Sequence, residues 1–133
     1  MLHRNTLRLA WAVVVVAAGL TISACGHGSA LSYANDSCHH VESSIKLFNA
    51  STHAPSQSLA NLDRSNAYRQ LRLALPLAAR ANSANGQWDA LMTTVSESSR
   101  VGESHLIHAL GDQCRVVFND VSGHSPTLNV PAG

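Results

Sequence analysis

Apolar residues fall into two regimes along the chain. From Leu9 to Leu20 they are nearly continuous (LAWAVVVVAAGL), whereas beyond position 36 they recur at three- and four-residue steps. The continuous run is shorter than the roughly 20 residues that a membrane-spanning helix needs. The periodic region has the repeat of amphipathic helices packed on a shared core. No stretch shows the strict alternation of a half-buried strand, except Leu71, Leu73, Leu75 and Leu77. Their Ala- and Arg-rich surroundings favour helix there as well.

Four helices follow from this pattern. The first begins at an N-cap near Asp36 or Ser37, places Cys38, Val41, Ile45, Phe48 and Thr52 on one stripe, and stops before Pro55. His39, His40 and Leu47 point away from that stripe. The second runs from Ser56 or Ser58 to about Arg80. Leu59, Leu62, Asn66, Leu73 and Leu77 form one face, and Tyr68, Leu71 and Leu75 another, more than roughly 100° away. Pro76 removes a backbone donor and disfavours helix at Leu75, so a kink or break is expected there. The third helix carries Trp88, Leu91, Met92, Val95 and Ser99 after a turn at 82–86. The fourth carries Leu106, Ile107, Leu110, Cys114 and Val117 after a corner at 100–102.

The N-terminal regime has the organisation of an export signal. Arg4 and Arg8 precede the apolar run, and small residues follow it at Thr21 to Ala24. Ile22-Ser23-Ala24-Cys25 resembles the lipobox of bacterial lipoproteins, with an apolar residue, two small residues and then Cys. That resemblance implies cleavage before Cys25 and a diacylglycerol on its thiol. Two or more acyl chains anchor stably where one does not. The expected location is the extracytoplasmic face of a bacterial cell membrane, with the membrane as partner through the lipid. The expected organisation is a signal peptide at 1–24, the lipidated Cys and a Gly/Ser-rich flexible tether at 25–35, a helical domain at 36–118, and a disordered tail at 119–133.

Export also bears on the two remaining cysteines. In an oxidising compartment Cys38 and Cys114 form a disulfide in preference to a metal or redox site, the alternative being two buried thiols. The chain-entropy account values closure of so long a loop at about 4.5 kcal/mol. Four amphipathic helices with short connections form an up-down-up-down bundle, in which the first and last are antiparallel. Cys38 near the start of one and Cys114 near the end of the other then lie level, each on its apolar stripe. The expected fold is an all-α, disulfide-closed four-helix bundle with a kinked second helix.

Candidate chemistry is sparse. Beyond residue 24 there are seven Lys and Arg against eight Asp and Glu, with no basic stripe, so no nucleic-acid partner is expected. There is no phosphate-binding Gly loop and no Gly-Xaa-Ser-Xaa-Gly motif. Asp63, Asp89, Glu97, Glu103 and Asp112 fall at helix ends or on polar faces, where solvated or capping roles are the default. His105 and His108 have a spacing at which two imidazoles share a metal, but they lie about 150° from the apolar stripe and point to solvent. They are weak metal candidates. No cofactor is expected, and no clustered catalytic set is visible.

Trp88, the run Ser96-Glu97-Ser98-Ser99-Arg100-Val101 and Ala109-Leu110 to Cys114 resemble small helical lipoproteins of actinobacteria. The resemblance implies location and fold and carries no activity. The functional expectation is a noncatalytic, monomeric, membrane-tethered interaction module with an envelope protein partner. Its expected surface is Tyr68, Leu71 and Leu75 together with Leu47, apolar residues that one bundle stripe cannot bury. Serine at Leu71 and Leu75 would then weaken binding and spare the fold. The alternative expectation is metal binding or sensing through His105 and His108, and the less favoured one a small hydrolase.

Overall fold

A computed structural model describes residues 26–123, with side-chain surroundings from residue 30 onward. The export signal, Cys25 and positions 124–133 lie outside the described residues. Four helices follow in order: α1 (Gly26–Thr52), α2 (Gln57–Ala84), α3 (Asp89–Val101) and α4 (Glu103–Val121). A single 3-10 turn, Gly86–Trp88, leads into α3. The described residues contain no strand, and none of their helices is long and apolar enough to cross a membrane.

α1 and α2 form an antiparallel pair joined by a seam of small residues. On α1 the buried positions Ala30, Ala34, Ser37, Val41, Ser44 and Ser51 keep a regular alternation of three- and four-residue steps, with half-buried Phe48 in the same register. On α2 the matching positions are Ala60, Ala67, Leu71, Ala74, Ala78 and Ala81. That period makes two helices meet along a continuous line. Small side chains let the backbones approach closely enough for side chain to reach main chain. Ser37 Oγ donates to the carbonyl of Ala74 at 3.0 Å, and Ser44 Oγ lies 2.8 Å from the carbonyl of Ala67. Seven residues forward on α1 thus match seven residues back on α2.

The expected flexible tether is instead the first part of α1. Positions 26–35 are helical, and Ala30 and Ala34 are fully buried. The reason is register. Ala30 and Ala34 continue the alternation of Ser37 and Val41, so their faces land on the end of α2. Arg80 of α2 also sits over the Tyr33 ring, 5.9 Å from its centroid. At the other end the expected tail begins late, because α4 continues through Val121.

Local signals place the remaining boundaries. Ser56 caps α2 by accepting from the Leu59 N–H at 3.3 Å. Pro76 is accommodated within α2 rather than ending it. It is exposed, so water can reach the Arg72 carbonyl that loses its helical donor. Asn85 Oδ1 accepts from the Gln87 N–H and starts the 3-10 turn that buries Trp88. Gly102 turns the corner between α3 and α4 with φ of +81°, a conformation that favours glycine.

α4 returns antiparallel along α1. Cys38 and Cys114 are bonded, with Cα atoms 5.3 Å apart across 76 residues of sequence. Ser44 and Glu103 meet further along the same pair of helices. The fold is therefore a disulfide-closed, up-down four-helix bundle, with Val41, Leu71, Leu91, Val95, Leu110 and Val117 among its core residues.

Candidate functional site

The two faces of α2 exchange the roles that residue size suggests. The Leu59, Leu62 and Leu73 face is open to solvent, with 46%, 55% and 46% of those residues exposed. The face expected to be free is the one packed against α3. Leu71 is only 4% exposed and belongs to the core, and Leu75 packs against that core half-buried. The expectation that Leu71 is a surface residue is therefore corrected: it lies on the seam-side register of Ala67, Ala74 and Ala78, within the core cluster. Tyr68 remains exposed. Leu47, the fourth residue of the expected surface, is half-buried on α1 and does not line the cleft that the other three share.

That cleft opens between α2 and α3, with a volume of about 620 Å³. It is within the size range of small-molecule sites. Its apolar floor is Leu71, Leu75 and Val95, with Tyr68 on the wall. Its polar lining is Arg64, Ser65 and Arg72 from α2, with Ser98 and Ser99 from α3. Polarity is graded along it. Asn61, Arg64 and Ser65 lie toward the open corner at Gly102, while Leu71, Leu75 and Val95 lie deeper along the helices. No carboxylate, imidazole or thiol lines the cleft. Neither Arg64 nor Arg72 is in an ion pair among the described residues, whereas Arg100 and Arg115 pair with Glu97 and Asp112 on their own helices.

Ser98 and Ser99 belong to the hydroxyl-rich run at the end of α3. Their hydroxyls donate to the carbonyls of Val95 and Ser96, at 2.6 and 2.9 Å. The run is thus bonded to its own helix, as Ser-rich helix ends commonly are.

Glu103 departs furthest from expectation. It is not a solvated helix-end carboxylate but a fully buried one, with 0% exposure. It occupies the buried register of α4 with Leu110, Cys114 and Val117, and its Oε1 lies 2.5 Å from Ser44 Oγ. Ser44 carries one hydrogen and faces two acceptors, the Ala67 carbonyl and Glu103 Oε1. Ser44 Oγ donates toward both, its one hydrogen shared between the Ala67 carbonyl and Glu103 Oε1. Burial raises the Glu103 pKa, and the hydrogen bond from Ser44 opposes the shift without cancelling it. Oε2 has no partner among the described residues, which costs less for a neutral acid than for a carboxylate. The acid links three helices and does not line the cleft.

His105 and His108 are both exposed on α4, as their wheel positions predict. His40 turns instead toward α2, with Nδ1 2.7 Å from Gln70 Oε1, and the His39 ring lies 5.5 Å from that of Phe118. Among the described residues no three His, Cys, Asp or Glu side chains are grouped as metal ligands. A smaller hollow between α1 and α4 has charges of both signs on its rim, Glu42 with Lys46 and Arg115.

No protein-family model matches the chain, and neither the curated proteins nor the solved structures contain a significant match.

Proposed function

We propose that this protein is a noncatalytic, membrane-tethered binding module of a bacterial cell envelope, and that it binds through the cleft between α2 and α3. The observation carrying this reading is the composition of that cleft. Tyr68, Leu71 and Leu75 line it together with Val95, and no carboxylate, imidazole or thiol stands beside its serines. An apolar floor with a few polar groups is the usual make-up of a binding site.

The tether rests on the lipobox resemblance at Cys25. Because Gly26, next to Cys25, already belongs to α1, an acyl group on Cys25 would hold the N-terminal end of α1 close to the bilayer. The disulfide suits the same oxidising location.

Native mass spectrometry of the protein released from its own membrane tests the tether. The expected mass lacks residues 1–24 and two hydrogens and includes a diacylglycerol. An unmodified Cys25 would remove the lipid anchor from the reading. Photo-crosslinking in intact cells tests the cleft. A photoreactive residue at Tyr68 should give a discrete adduct that the same residue at Leu62 does not. Equal labelling at both positions would remove the cleft as the binding surface.

A further inference from the structure

We propose that the cleft between α2 and α3 takes a single-chain amphiphile with a carboxylate head, held by Arg64 at its polar end. The inference rests on the reading of the cleft as a binding site and assigns its ligand class. Charge is the first argument. Both charged residues lining the cleft are arginines, no acid lines it, and neither arginine is paired within the described part of the protein. An apolar ligand without a negative group would leave those charges uncompensated beside its own surface.

The order of residues along the groove is the second argument. From Asn61 to Leu75 the α2 wall spans about 21 Å at the helical rise per residue. Its first turn supplies Asn61, Arg64 and Ser65. Its last two turns, with Val95 opposite, supply Tyr68, Leu71 and Leu75, with exposed Arg72 at their edge. A molecule polar at one end and apolar along its body matches that gradient. A uniformly polar anion would desolvate against the leucines, and a uniformly apolar chain would waste the arginine.

The head-group class follows from the single guanidinium charge at the polar end. Arg64 presents one planar fork, which can hold two oxygens of a carboxylate or a phosphate, so charge count separates the two. Arg72 lies eight residues on, about 12 Å along the axis, and borders the apolar portion of the groove. A phosphate dianion at Arg64 would keep half its charge unpaired. Ser65, whose hydroxyl has no partner among the described residues, is placed beside the same end to donate to a carboxylate oxygen. The apolar end of the groove is the end nearer the start of α1, and thus nearer the bilayer if Cys25 is acylated.

Titration of the full-length protein in phosphatidylcholine nanodiscs with octanoate tests the assignment, with empty nanodiscs subtracted. Octanoate should bind saturably and one to one. Arg64→Gln should weaken it about tenfold or more, the loss expected for one charge-assisted pair, with Arg72→Gln having a smaller effect. Arg64 is exposed, so its variant should melt with the native protein, which a circular dichroism scan checks. Octanol should bind at least about tenfold more weakly than octanoate. Absence of saturable octanoate binding, equal binding of octanol, tighter binding of octyl phosphate, or an unchanged affinity in Arg64→Gln would each overturn the carboxylate assignment. A protein that still crosslinks at Tyr68 but ignores octanoate would keep the binding module and lose only this ligand.

Discussion

The flank of α2 that meets α1 and the flank that faces solvent invert the usual relation between side-chain size and burial. The first is built almost entirely from alanine and is continuously buried from Ala67 to Ala81. The second carries Leu59, Leu62 and Leu73 and remains open. Burial here follows the shape of the partner helix rather than the hydrophobicity of the residue. Alanine lets α1 come close enough for Ser37 to reach a main-chain carbonyl, which a leucine at Ala74 would prevent. Close packing and a buried hydroxyl bond compensate for the apolar area that alanine lacks.

The contrast is easiest to break at its buried side. Leu71→Ser removes a large core side chain and places a hydroxyl among apolar neighbours. It should cost about 3–4 kcal/mol, measured by urea unfolding. A loss under about 1 kcal/mol would return Leu71 to the surface. Ala74→Leu comes next. By hydrophobicity alone it should stabilise; in a close seam it should destabilise by about 1–3 kcal/mol, because the added atoms force the two helices apart. A stabilised variant would show that the seam has room, and the close-approach account would fail.

Much of the architecture was legible in the order of residues. The four helices, the Ser56 cap and the pairing of Cys38 with Cys114 follow from periodicity, cap chemistry and topology, and the structure bears them out. The inner face of α2 was not, because a pattern weighted by side-chain size selects leucine and overlooks Ala67, Ala74, Ala78 and Ala81. The early start of α1 was masked in the same way. Gly26 to Asn35 has the composition of a linker, and only the spacing of Ala30 and Ala34 from Ser37 marks it as helix. Of the candidate site, Tyr68 and Leu75 were legible as an unspent apolar face. The arginines and serines that complete the cleft come from separate helices and acquire meaning only when α2 and α3 lie side by side. Glu103 gave one signal, its place in the apolar register of α4, against the stronger rule that a first-turn glutamate is solvated.

Glu103 sharpens the comparison by showing what a polar group in the tight region requires. Its pKa is raised in the folded protein, so the folded state holds the proton more firmly than the unfolded chain does. Below the ordinary glutamate range both states are protonated, and its contribution to stability is complete. As pH rises above that range the unfolded chain ionises first. Stability then falls until the folded group ionises as well, and levels off. Glu103→Gln keeps an uncharged side chain of the same length whose carbonyl oxygen can still accept from Ser44, so it should stay within about 1 kcal/mol of the native protein in acid and lose this decline. Thermal melts from pH 4 to pH 8 compare the two directly. Parallel curves would mean that burial of Glu103 does not set the decline.

The smallest effect is expected on the open flank. Leu62→Ser combined with Leu73→Ser removes two of the larger apolar side chains from α2. Counted by hydrophobicity it should be among the most damaging changes in the molecule. Counted by contact it removes groups that are about half exposed already and touch no core residue across a seam. Serine forms helix less readily than leucine, which sets a small cost at each site. The double variant should therefore unfold within about 1 kcal/mol of the native protein, and it should bind octanoate with unchanged affinity because neither position lines the cleft. A loss as large as that of Leu71→Ser would mean that this face is covered in solution, for example by a second copy, and sedimentation at increasing concentration would then show association that the variant lacks.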